Sequence, residues 1–428
     1  MSAAGSRLPV PGSRLNVVHI CDHLGWEGSR MHGVKRLFAW MIPRFDHARF
    51  NVSLISLRKK DLSADTLEEC GIDVTYLARH KFDPATYPAL LKVLRDKRAD
   101  ILHLHGYGAT TFGRLCAWRM GIPAILHEHA NHGDTPWFQK VADRLLAPHT
   151  DIAIAVSAST GEFTTRARLM PPERTKVVYL GAPLEEFARR RSAEEIAAAR
   201  SAMGIGPQTT AIGTVTRLMP AKGNTYLVDA MPQVLASHPG VRCFIIGEGE
   251  LGADLEAQAR ALNLGDRLVF TGFTRDVAAA LSALDLLVFP SLAEGTPLTM
   301  FEALAMGKPI VATDADGLVD VLTDGKDAIV VPKADAGALA RAINTVLDRP
   351  ELAAELGAEA RKTGARHDIG AFVRKMERLY ELLHESSRIA GRDGILKTDL
   401  SFLTAAADLS TVARSAKVDG AEGAAKTG

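Results

Sequence analysis

Four charged side chains stand at positions where they could hold a polyhydroxyl ring and an anion. Glu294 and Glu302 lie eight positions apart in the stretch FPSLAEGTPLTMFEALAMGKPIVATDADGLVD, residues 289–320. Arg217 and Lys222 lie upstream, in TRLMPAKG. Carboxylates accept hydrogen bonds from hydroxyl groups, and Arg and Lys donate charge-assisted hydrogen bonds to phosphate oxygens. These residue types therefore favour a ligand that carries both hydroxyls and phosphate.

The elements that position the two glutamates follow from the hydropathy pattern. The apolar runs 284–289 and 309–313 each predict a buried strand, and the residues between them predict one helix. We expect this helix to begin near Pro297 with Thr296 as its N-cap, and to end at Gly307. The first glutamate then lies in the strand-to-helix loop and the second just inside the helix, beside free backbone N–H groups that favour an anion.

This stretch resembles the signature of retaining glycosyltransferases of the GT-B fold, family 4. In that family two glutamates lie in a stretch like EGxPxxxxEAxAxGxPVVA, and EGTPLTMFEALAMGKPIVA is similar almost throughout. The resemblance implies that Glu294 contacts hydroxyls of the transferred sugar and that Glu302 holds the ribose of the nucleotide. It also implies that the backbone of Gly295, Pro297 and Leu298 lies near the sugar and phosphates of the donor. Alone, Glu302 could equally be a solvated helix residue.

Arg217 and Lys222 fall in a loop between a strand predicted at residues 210–216 and a helix. Two fixed cations beside a helix N-terminus make a diphosphate site, although solvated surface charges are the commoner arrangement. TRLMPAKG is similar to the family's GRLxxxKG, whose arginine and lysine bind the leaving nucleoside diphosphate. The resemblance implies that these cations neutralise the leaving group without a metal, and that Asp314-Ala315-Asp316 is a turn rather than a metal-binding D-x-D.

A glycine pattern that also occurs in dinucleotide-binding proteins follows the next predicted strand. In FIIGEGELGADLEAQ, Gly247 and Gly249 open a G-x-G-x-x-G. A nicotinamide or flavin site would also place an acid at the end of the following strand, and LVFTG, residues 268–272, ends without one. The resemblance instead implies that the two glycines pass beneath the diphosphate and that Gly272 and Phe273 pack against the base.

Five histidines cluster at the ends of two predicted strands. They are His103 and His105 in ILHLHGYGA, and His127, His129 and His132 in AILHEHANHG. Spacing of two places each H-x-H pair on one face of a strand, so a metal site has to be weighed against structural histidines. Alternation points Glu128 to the opposite face, and no other carboxylate or cysteine has matching spacing nearby. We expect no metal.

The resemblance distinguishes His129 from the other histidines. GIPAILHEH is similar to GIPxxxTEH, whose last histidine faces the reacting sugar, where it would support the 6-hydroxyl or the developing positive charge. His105 with Gly106 resembles an HxHG loop that lies towards the acceptor. A glycine-rich loop after the first strand lies near the acceptor and the donor phosphates in the family, and Gly28 is carried over to it.

The chain is long enough for two domains, and alternating strands and helices predict parallel sheets covered on both faces. The strands predicted in the first half are residues 15–21, 51–57, 72–77, 100–104, 123–126, 151–156 and 176–180. The resemblance implies an α/β GT-B architecture, in which two Rossmann-like doubly wound domains face across a cleft. We expect a flexible N-terminus at 1–14, an acceptor domain at 15–185, a linker at 186–204, a donor domain at 205–368, a helix crossing back to the first domain at 369–388, and a flexible tail at 389–428.

The composition limits the kinds of binding partner and the compartment that we expect. Lys and Arg number 51 against 50 Asp and Glu, so the near-neutral chain gives no reason to expect nucleic acid. No run approaches the ~18 apolar residues of a membrane helix, and no signal core precedes the first strand. Four dispersed cysteines suit a reducing compartment, so we expect a cytoplasmic protein. Lys59, Lys60, Arg30 and Arg36 would allow a weak contact with the inner face of a membrane, although a solvated face is the commoner explanation.

The resemblance implies transfer of a hexose-type sugar from a UDP- or GDP-sugar to a glycan, lipid-linked or small-molecule acceptor, with retention of anomeric configuration. A phosphate oxygen would take the acceptor proton, and no cofactor is expected besides the donor substrate. A sugar-nucleotide epimerase of the same fold, or a non-catalytic sugar-nucleotide binder, would keep the same donor residues, and both alternatives stay open. A nicotinamide oxidoreductase is disfavoured.

Overall fold

The computed structural model describes residues 14–24, 33–60, 64–131 and 136–404. In the first half, strands and helices alternate as β1 (Leu15–Cys21), α1 (Gly33–Met41), β2 (Phe50–Ser56), α2 (Ala64–Glu69), β3 (Val74–Tyr76), α3 (Thr86–Asp96), β4 (Ile101–His105), α4 (Tyr107–Met120), β5 (Ala124–Glu128), α5 (Trp137–Leu146), β6 (Ile152–Ala155), α6 (Ala158–Ala167) and β7 (Thr175–Val177). Two connecting helices follow, α7 (Leu184–Phe187) and α8 (Ala193–Ala202).

The second half repeats the alternation. Its elements are β8 (Thr210–Val215), α9 (Asn224–Ser237), β9 (Val241–Ile246), α10 (Gly252–Ala261), β10 (Leu268–Gly272), α11 (Val277–Ala283), β11 (Leu286–Phe289), α12 (Leu298–Met306), β12 (Ile310–Thr313), α13 (Asp316–Val319), β13 (Ile329–Val331), α14 (Ala336–Asp348) and α15 (Pro350–Gly364). A long last helix, α16 (Ile369–Leu396), follows them.

Each half forms one parallel sheet, which confirms the predicted α/β class. The first sheet has seven strands in the order β3-β2-β1-β4-β5-β6-β7, and the second has six in the order β10-β9-β8-β11-β12-β13. Every residue of the central strands β4, β5, β11 and β12 is buried, which explains the nearly continuous apolar runs of β11 and β12. The strand order reverses between β1 and β4 and between β8 and β11. Such sheets bind ligands at the carboxyl ends of the strands beside this point.

The chain passes between the two domains twice, and the crossing segments are hydrogen-bonded to each other. The N–H of Ala182 donates to the carbonyl oxygen of His367 at 3.0 Å, and the N–H of Ile369 donates to that of Ala182 at 3.1 Å. Helix α16 then lies against α1 of the first domain. There Tyr380 is fully buried and its ring stacks on Phe45. The two crossings therefore lie side by side, joined by an isolated parallel bridge between Ala182 and Asp368.

Helix α12 starts differently from the sequence expectation. It begins at Leu298 with Pro297 as N-cap, and this cap makes no side-chain hydrogen bond. Thr296 instead donates its hydroxyl to the carbonyl oxygen of Val156 in the first domain, at 2.6 Å. The prediction of Thr296 as the N-cap is therefore wrong, because a contact between domains has captured the hydroxyl that would have capped the helix.

The C-terminal helix runs to Leu396, past the predicted limit at residue 388, and a 3-10 turn at Ser401–Leu403 buries Leu403. The rest of the predicted tail, 405–428, and residues 1–13 lie outside the described residues. No helix in the described ranges has the length and apolar character needed to cross a bilayer. All four cysteines are free thiols; only Cys70 is exposed.

Candidate active site

Glu294 and Lys222 form an ion pair between two loops at the reversal point of the second sheet. We call these the cation loop, residues 216–223 after β8, and the glutamate loop, residues 290–297 after β11. The Nζ of Lys222 donates to both carboxylate oxygens of Glu294, at 2.6 Å each, and the hydroxyl of Ser291 donates to Oε1 at 2.7 Å. The side chain of Glu294 is 6% exposed. The structure thus brings together two residues that the sequence had assigned to separate motifs.

Arg217 lies in the same place and keeps its donors available. Its side chain is partly buried. Burial lowers the pKa of Arg217, while Glu294 and Glu250 act in the opposite direction. The guanidinium forms no ion pair with any residue in the described part of the chain. A cation of this kind beside a pocket offers a planar fork of N–H groups to an incoming anion.

Two glycines of the predicted donor loop pack on the backbone of the cation loop. A Cβ at Gly247 or Gly249 would come 1.9 or 2.2 Å from the carbonyl oxygens of the residues on either side of Arg217. The N–H of Gly247 also donates to the carbonyl oxygen of Gly272 at 2.9 Å. Phe273 follows directly, at the same edge of the sheet. The three predicted donor segments are therefore held together by main-chain contacts, and those at Gly247 and Gly249 leave no room for a side chain.

Gly223 lets the cation loop approach the glutamate loop closely. It has φ +61°, in the left-handed region, and a Cβ there would come 1.9 Å from the carbonyl oxygen of Pro290. In addition, the N–H of Leu292 donates to the carbonyl oxygen of Ala221 at 2.9 Å. The alignment of Lys222 with its carboxylate is therefore set by the backbone as well as by charge.

The glutamate loop also touches the first domain at His129. A Cβ at Gly295 would come 2.0 Å from the carbonyl oxygen of His129, so the two backbones are in contact. His129 follows β5 directly and is partly exposed. His129 and Glu294 therefore meet at one junction between the domains. The other predicted residues of this loop, Pro297 and Leu298, cap and begin α12 beside that junction.

Glu302 has a different environment from the one expected of it. It is fully buried and forms an ion pair with Arg36 of α1, whose guanidinium lies over the ring of Trp40 at 4.7 Å. Its Oε2 has no hydrogen-bond partner among the described residues. Burial raises the pKa of Glu302 to about 7, against the opposing effect of Arg36. In this structure Glu302 faces the first domain, and the predicted ribose contact requires Arg36 to move away.

The histidines form a buried cluster at the reversal point of the first sheet. His105 is buried, and its ring bonds to His19 at 3.1 Å and to His129 at 2.8 Å. Both ring nitrogens are thus engaged by protein, so in this structure His105 is not open to an acceptor. Gly106 is the N-cap of α4 and packs on the carboxylate of Asp22. This carboxylate accepts hydrogen bonds from backbone N–H groups in the first turn of α4.

The cluster also satisfies a distance criterion for a metal. Within each of two overlapping trios the ligand nitrogens lie within 4.8 Å of one another; the trios are His19, His103, His105 and His105, His127, His129. Neighbouring rings are paired through hydrogen bonds of 2.8–3.1 Å, however, and the bonded pairs have ring planes only 17–23° apart. That arrangement suits imidazoles in a hydrogen-bonded row better than ligands converging on one ion. Glu128 points away from the cluster, as predicted, and accepts from Arg168 at 2.9 Å.

Three residues named in the sequence analysis cannot be placed, because Gly28, Arg30 and His132 lie outside the described residues. Conversely, sequence reasoning missed three contributors: Ser291, Arg36 and Tyr380. Ser291 carries a signal, since it lies in the same loop as its partner Glu294. Arg36 and Tyr380 carry none, because they reach the site from helices far away in the chain.

Two family models match the chain. The model described as "Glycosyltransferase Family 4" matches residues 31–186, and "Glycosyl transferases group 1" matches residues 196–363. Together they span most of both domains, and each model falls within one of them.

Curated proteins and a solved structure agree with these matches. The chain is 27% identical to a putative glycosyltransferase, EpsD, of Bacillus subtilis over 71% of this chain and 83% of that protein. It is 25% identical to UDP-Gal:alpha-D-GlcNAc-diphosphoundecaprenol alpha-1,3-galactosyltransferase of Escherichia coli over 74% and 85%. The structure of Anabaena Alr3699/HepE in complex with UDP superposes with a TM-score of 0.73 at 20% identity, over 86% of this chain and all of that one. The likeness to the Anabaena structure shows the fold alone.

Proposed function

This chain belongs to family 4 of the glycosyltransferases and has the GT-B fold, and from this we propose that it transfers a hexose from a nucleotide diphosphate sugar to an acceptor held against the first domain, with retention of anomeric configuration. The observation that carries the proposal is the junction of Lys222, Glu294 and Arg217 at the reversal point of the second sheet. At this junction, cations that can bind a diphosphate lie beside a carboxylate that can bind hydroxyls.

The leaving group would be bound by the cation loop. Arg217 offers unpaired donors, Lys222 adds a second positive charge, and the N-terminus of α9 begins directly after that loop at Asn224. These groups oppose the charge that develops on the diphosphate as the bond to the sugar breaks. We propose that they do so without a metal ion and that no cofactor is needed.

Glu294 and His129 would hold the transferred sugar from the two domains. In retention, the bond from the anomeric carbon to the acceptor oxygen forms on the face that the phosphate leaves. The acceptor hydroxyl then gives its proton to a phosphate oxygen, so no protein base is required. Glu294 fixes the sugar by accepting from its hydroxyls, and the polar groups of the junction stabilise the positive charge on the sugar.

Glu302 would bind the ribose only after its ion pair opens. Arg36 lies on the first domain and Glu302 on the second, so a rotation about the paired crossings at Ala182 and Ile369 would separate them. Donor entry and domain movement are thereby linked: the ribose hydroxyls replace Arg36 as partners of the carboxylate.

We further propose a lipid-linked acceptor, because α5 exposes an apolar face on the first domain. Trp137 is 76% exposed and Leu145 67%, and Phe138 and Val141 are exposed beside them. At the helical spacing of 100° per residue these four side chains share one sector. A monomeric soluble surface seldom gathers such residues, and a lipid surface would cover them.

The charges around that face match an anionic lipid surface. Lys140 and Arg144 flank the apolar sector and are exposed. The one acid of α5, Asp143, is buried and bonded to Arg114 and Arg168. The helix follows the segment that leads from His129, so it would bring the membrane surface to the acceptor side of the junction. The E. coli relative is named for a diphosphoundecaprenol acceptor, which supports this choice. Of the cations that the sequence suggested for membrane contact, Arg36 is instead held in the largely buried ion pair with Glu302, and Lys60 pairs with Glu68 at the surface.

The test starts with a panel of UDP-glucose, UDP-galactose, UDP-N-acetylglucosamine and GDP-mannose. A cognate donor should raise the melting temperature, since saturation at about 100 times Kd stabilises by about 2.7 kcal/mol. With an undecaprenyl diphosphate-linked sugar and the cognate donor, the product should carry the anomeric configuration of the donor by NMR.

Other outcomes would identify the alternatives. An isomerised nucleotide sugar without transfer would indicate an epimerase, and stabilisation without turnover on any acceptor would indicate a non-catalytic binder. Product of inverted configuration would refute retention. The variant to compare with the wild type in these assays is Glu294→Gln, which keeps the size of the side chain and removes the charge that pairs with Lys222.

A further inference from the structure

Six buried or partly buried side chains form one unbroken row of hydrogen bonds across the carboxyl edge of the first sheet. In order they are His127, His103, Tyr380, His19, His105 and His129. The successive distances between nitrogen and oxygen atoms along the row are 3.0, 2.7, 3.3, 3.1 and 2.8 Å. Five members lie on β1, β4 and β5 or just after it, and Tyr380 lies on α16, the helix that returns from the second domain.

Every histidine of the row is a neutral imidazole at physiological pH. Burial lowers the pKa of His19 to about 3 and that of His129 to about 4, and it lowers the pKa values of the other three well below their ordinary value. Burial also raises the pKa of Tyr380, which keeps its hydroxyl protonated. A neutral imidazole has one N–H donor and one acceptor nitrogen, and a hydroxyl can donate one bond while it accepts another.

These rules couple all six groups. Each link needs one donor and one acceptor, so the tautomer of any histidine fixes that of its neighbours. Only two complete arrangements exist: in one, every histidine carries its proton on Nδ1, and in the other, every histidine carries it on Nε2. A break at one link frees the two sides from each other.

The end of the row at His127 selects between the two arrangements. Its Nε2 is buried and has no hydrogen-bond partner. A proton there would be an orphaned buried N–H, which native proteins almost never contain, and stranding such a donor costs on the order of 1–3 kcal/mol. The lone pair therefore lies on Nε2 and the proton on Nδ1. The same donor-to-acceptor direction continues through Tyr380 and along the row to His129, whose Nε2 accepts a hydrogen bond from His105.

We propose that this row is a tautomer lock that holds His129 with its proton on Nδ1, free to donate to a ligand between the domains, and that Tyr380 joins the two halves of the row. His129 then acts as a neutral hydrogen-bond donor to an oxygen of the substrate. The identity of this oxygen rests on the proposed function. It belongs to a hydroxyl of the sugar held by Glu294, because the backbone of His129 touches Gly295. Because Tyr380 belongs to α16, the unbroken row forms only when that helix is seated on the first domain.

The test uses nitrogen-15 NMR of histidine-labelled protein without substrate. Long-range couplings identify which ring nitrogen carries the proton, and His129→Gln assigns the His129 signals. In the wild type we expect His129 with a protonated Nδ1, a form that free imidazole side chains populate less than the Nε2–H form. A protonated Nε2 on His129 would overturn the proposal. This readout stands or falls independently of the transferase activity.

Tyr380→Phe breaks the row while it keeps the ring. The rule applied at His127 then leaves the lone pair of His19 on its buried Nε2, so we expect His129 to keep its proton on Nδ1 while His103 and His127 become a mixture of tautomers. His105→Phe removes the donor to His129 itself: we expect His129 to become a mixture of tautomers, and kcat to fall about 10-fold with an unchanged KM for the donor. Phe45→Leu is the control, because Phe45 packs on the same ring but forms no link of the row; it should lower the melting temperature and leave the His129 tautomer intact. Loss of the Nδ1 proton from His129 in Tyr380→Phe, or a single His129 tautomer in His105→Phe, would overturn the proposal. So would the binding of one zinc ion per chain with loss of the histidine N–H signals, which would make the cluster a metal site.

Discussion

The ammonium of Lys222 lies 2.6 Å from each carboxylate oxygen of Glu294, and both side chains are largely buried. Removing one partner of such a pair leaves an uncompensated charge and costs about 3–5 kcal/mol, whereas removing both costs far less. We expect Lys222→Ala to lower the melting temperature strongly and the double variant with Glu294→Ala to recover most of it. Differential scanning calorimetry of the two variants decides this.

The same variants separate stability from catalysis. Loss of a preorganised cation at the leaving group lowers kcat about 100-fold or more. Lys222→Ala and the double variant should therefore both be inactive, even though only the first is unstable. Turnover near the wild-type rate in either variant would remove Lys222 from the mechanism.

Glu302 should give the free energy of unfolding a distinctive pH dependence. Its folded pKa of about 7 lies above the ordinary value of 4.5, so between these values the folded chain binds the proton and the unfolded chain releases it. Stability from this group therefore falls as pH rises, by about 1.4 kcal/mol per pH unit within that window. Glu302→Gln should remove this component in urea titrations between about pH 5 and 8.

The control for that experiment is Glu381→Gln on α16, since Glu381 is about half exposed and pairs with Arg49 at the surface. Arg36→Ala should act in the opposite sense from Glu302→Gln: it deprives the buried carboxylate of its cation, raises its pKa further and extends the loss of stability to higher pH at the same slope. Identical pH profiles for wild type and Glu302→Gln would mean that Glu302 is not buried as a titrating group.

The buried histidines predict an opposite slope at lower pH. The folded pKa values of His19 and His129, about 3 and about 4, lie below the ordinary value of 6.5. The stability that these neutral imidazoles contribute is complete above 6.5 and is lost as pH falls towards the folded values. Each contributes a slope of about 1.4 kcal/mol per pH unit in that window. Their number outweighs the single opposing carboxyl, so the melting temperature should fall steeply below about pH 6.

One histidine variant checks the origin of this slope. His19→Asn removes an imidazole that takes up a proton on unfolding. The free energy of unfolding should then fall less steeply on the acid side, by the share of that one histidine. The variant His80→Asn, at an exposed position, should leave the slope unchanged. Equal slopes for wild type and His19→Asn would show that the acid sensitivity arises elsewhere.

The strands and the two charged loops could be predicted because their determinants are local. Strand β1 has the predicted bounds, Leu15–Cys21, since its last five residues are buried in a row and leave little choice of structure. Lys222 and Glu294 were each recognisable within a short motif, and the parallel sheet then brings the ends of β8 and β11 together.

The contacts between domains could not be predicted in this way. Arg36 reaches Glu302, and Tyr380 reaches His19, from elements hundreds of positions away in the chain, and periodicity does not say which partner a polar residue on a buried face will meet. Thr296 shows the same limit: it has the right type and position for an N-cap, but a carbonyl of the other domain takes its hydroxyl.

The exposed face of α5 predicts binding to anionic vesicles. Wild-type protein should co-sediment with phosphatidylglycerol-containing vesicles, and burial of Trp137 should shift its fluorescence to the blue. Trp137→Ser with Leu145→Ser should abolish sedimentation, and Lys140→Glu with Arg144→Glu should weaken it most at low salt. Trp118→Ser is the matched control, since Trp118 is 61% exposed but lies on α4. Self-association through this face, seen by light scattering in the absence of lipid, would contradict the proposal.

Gly295→Ala should separate closure of the domains from donor binding. The added methyl would come 2.0 Å from the carbonyl oxygen of His129, and neither backbone can yield unless the domains move apart. Arg217 and Lys222 belong entirely to the second domain, and parting the domains also releases Glu302 from Arg36, so calorimetry should find donor affinity undiminished while kcat falls by 10-fold or more. Gly240→Ala is the matched control, since it meets nothing within 4 Å and should lose neither. A kcat for Gly295→Ala equal to that of Gly240→Ala would mean that the contact at His129 has no part in the reacting geometry.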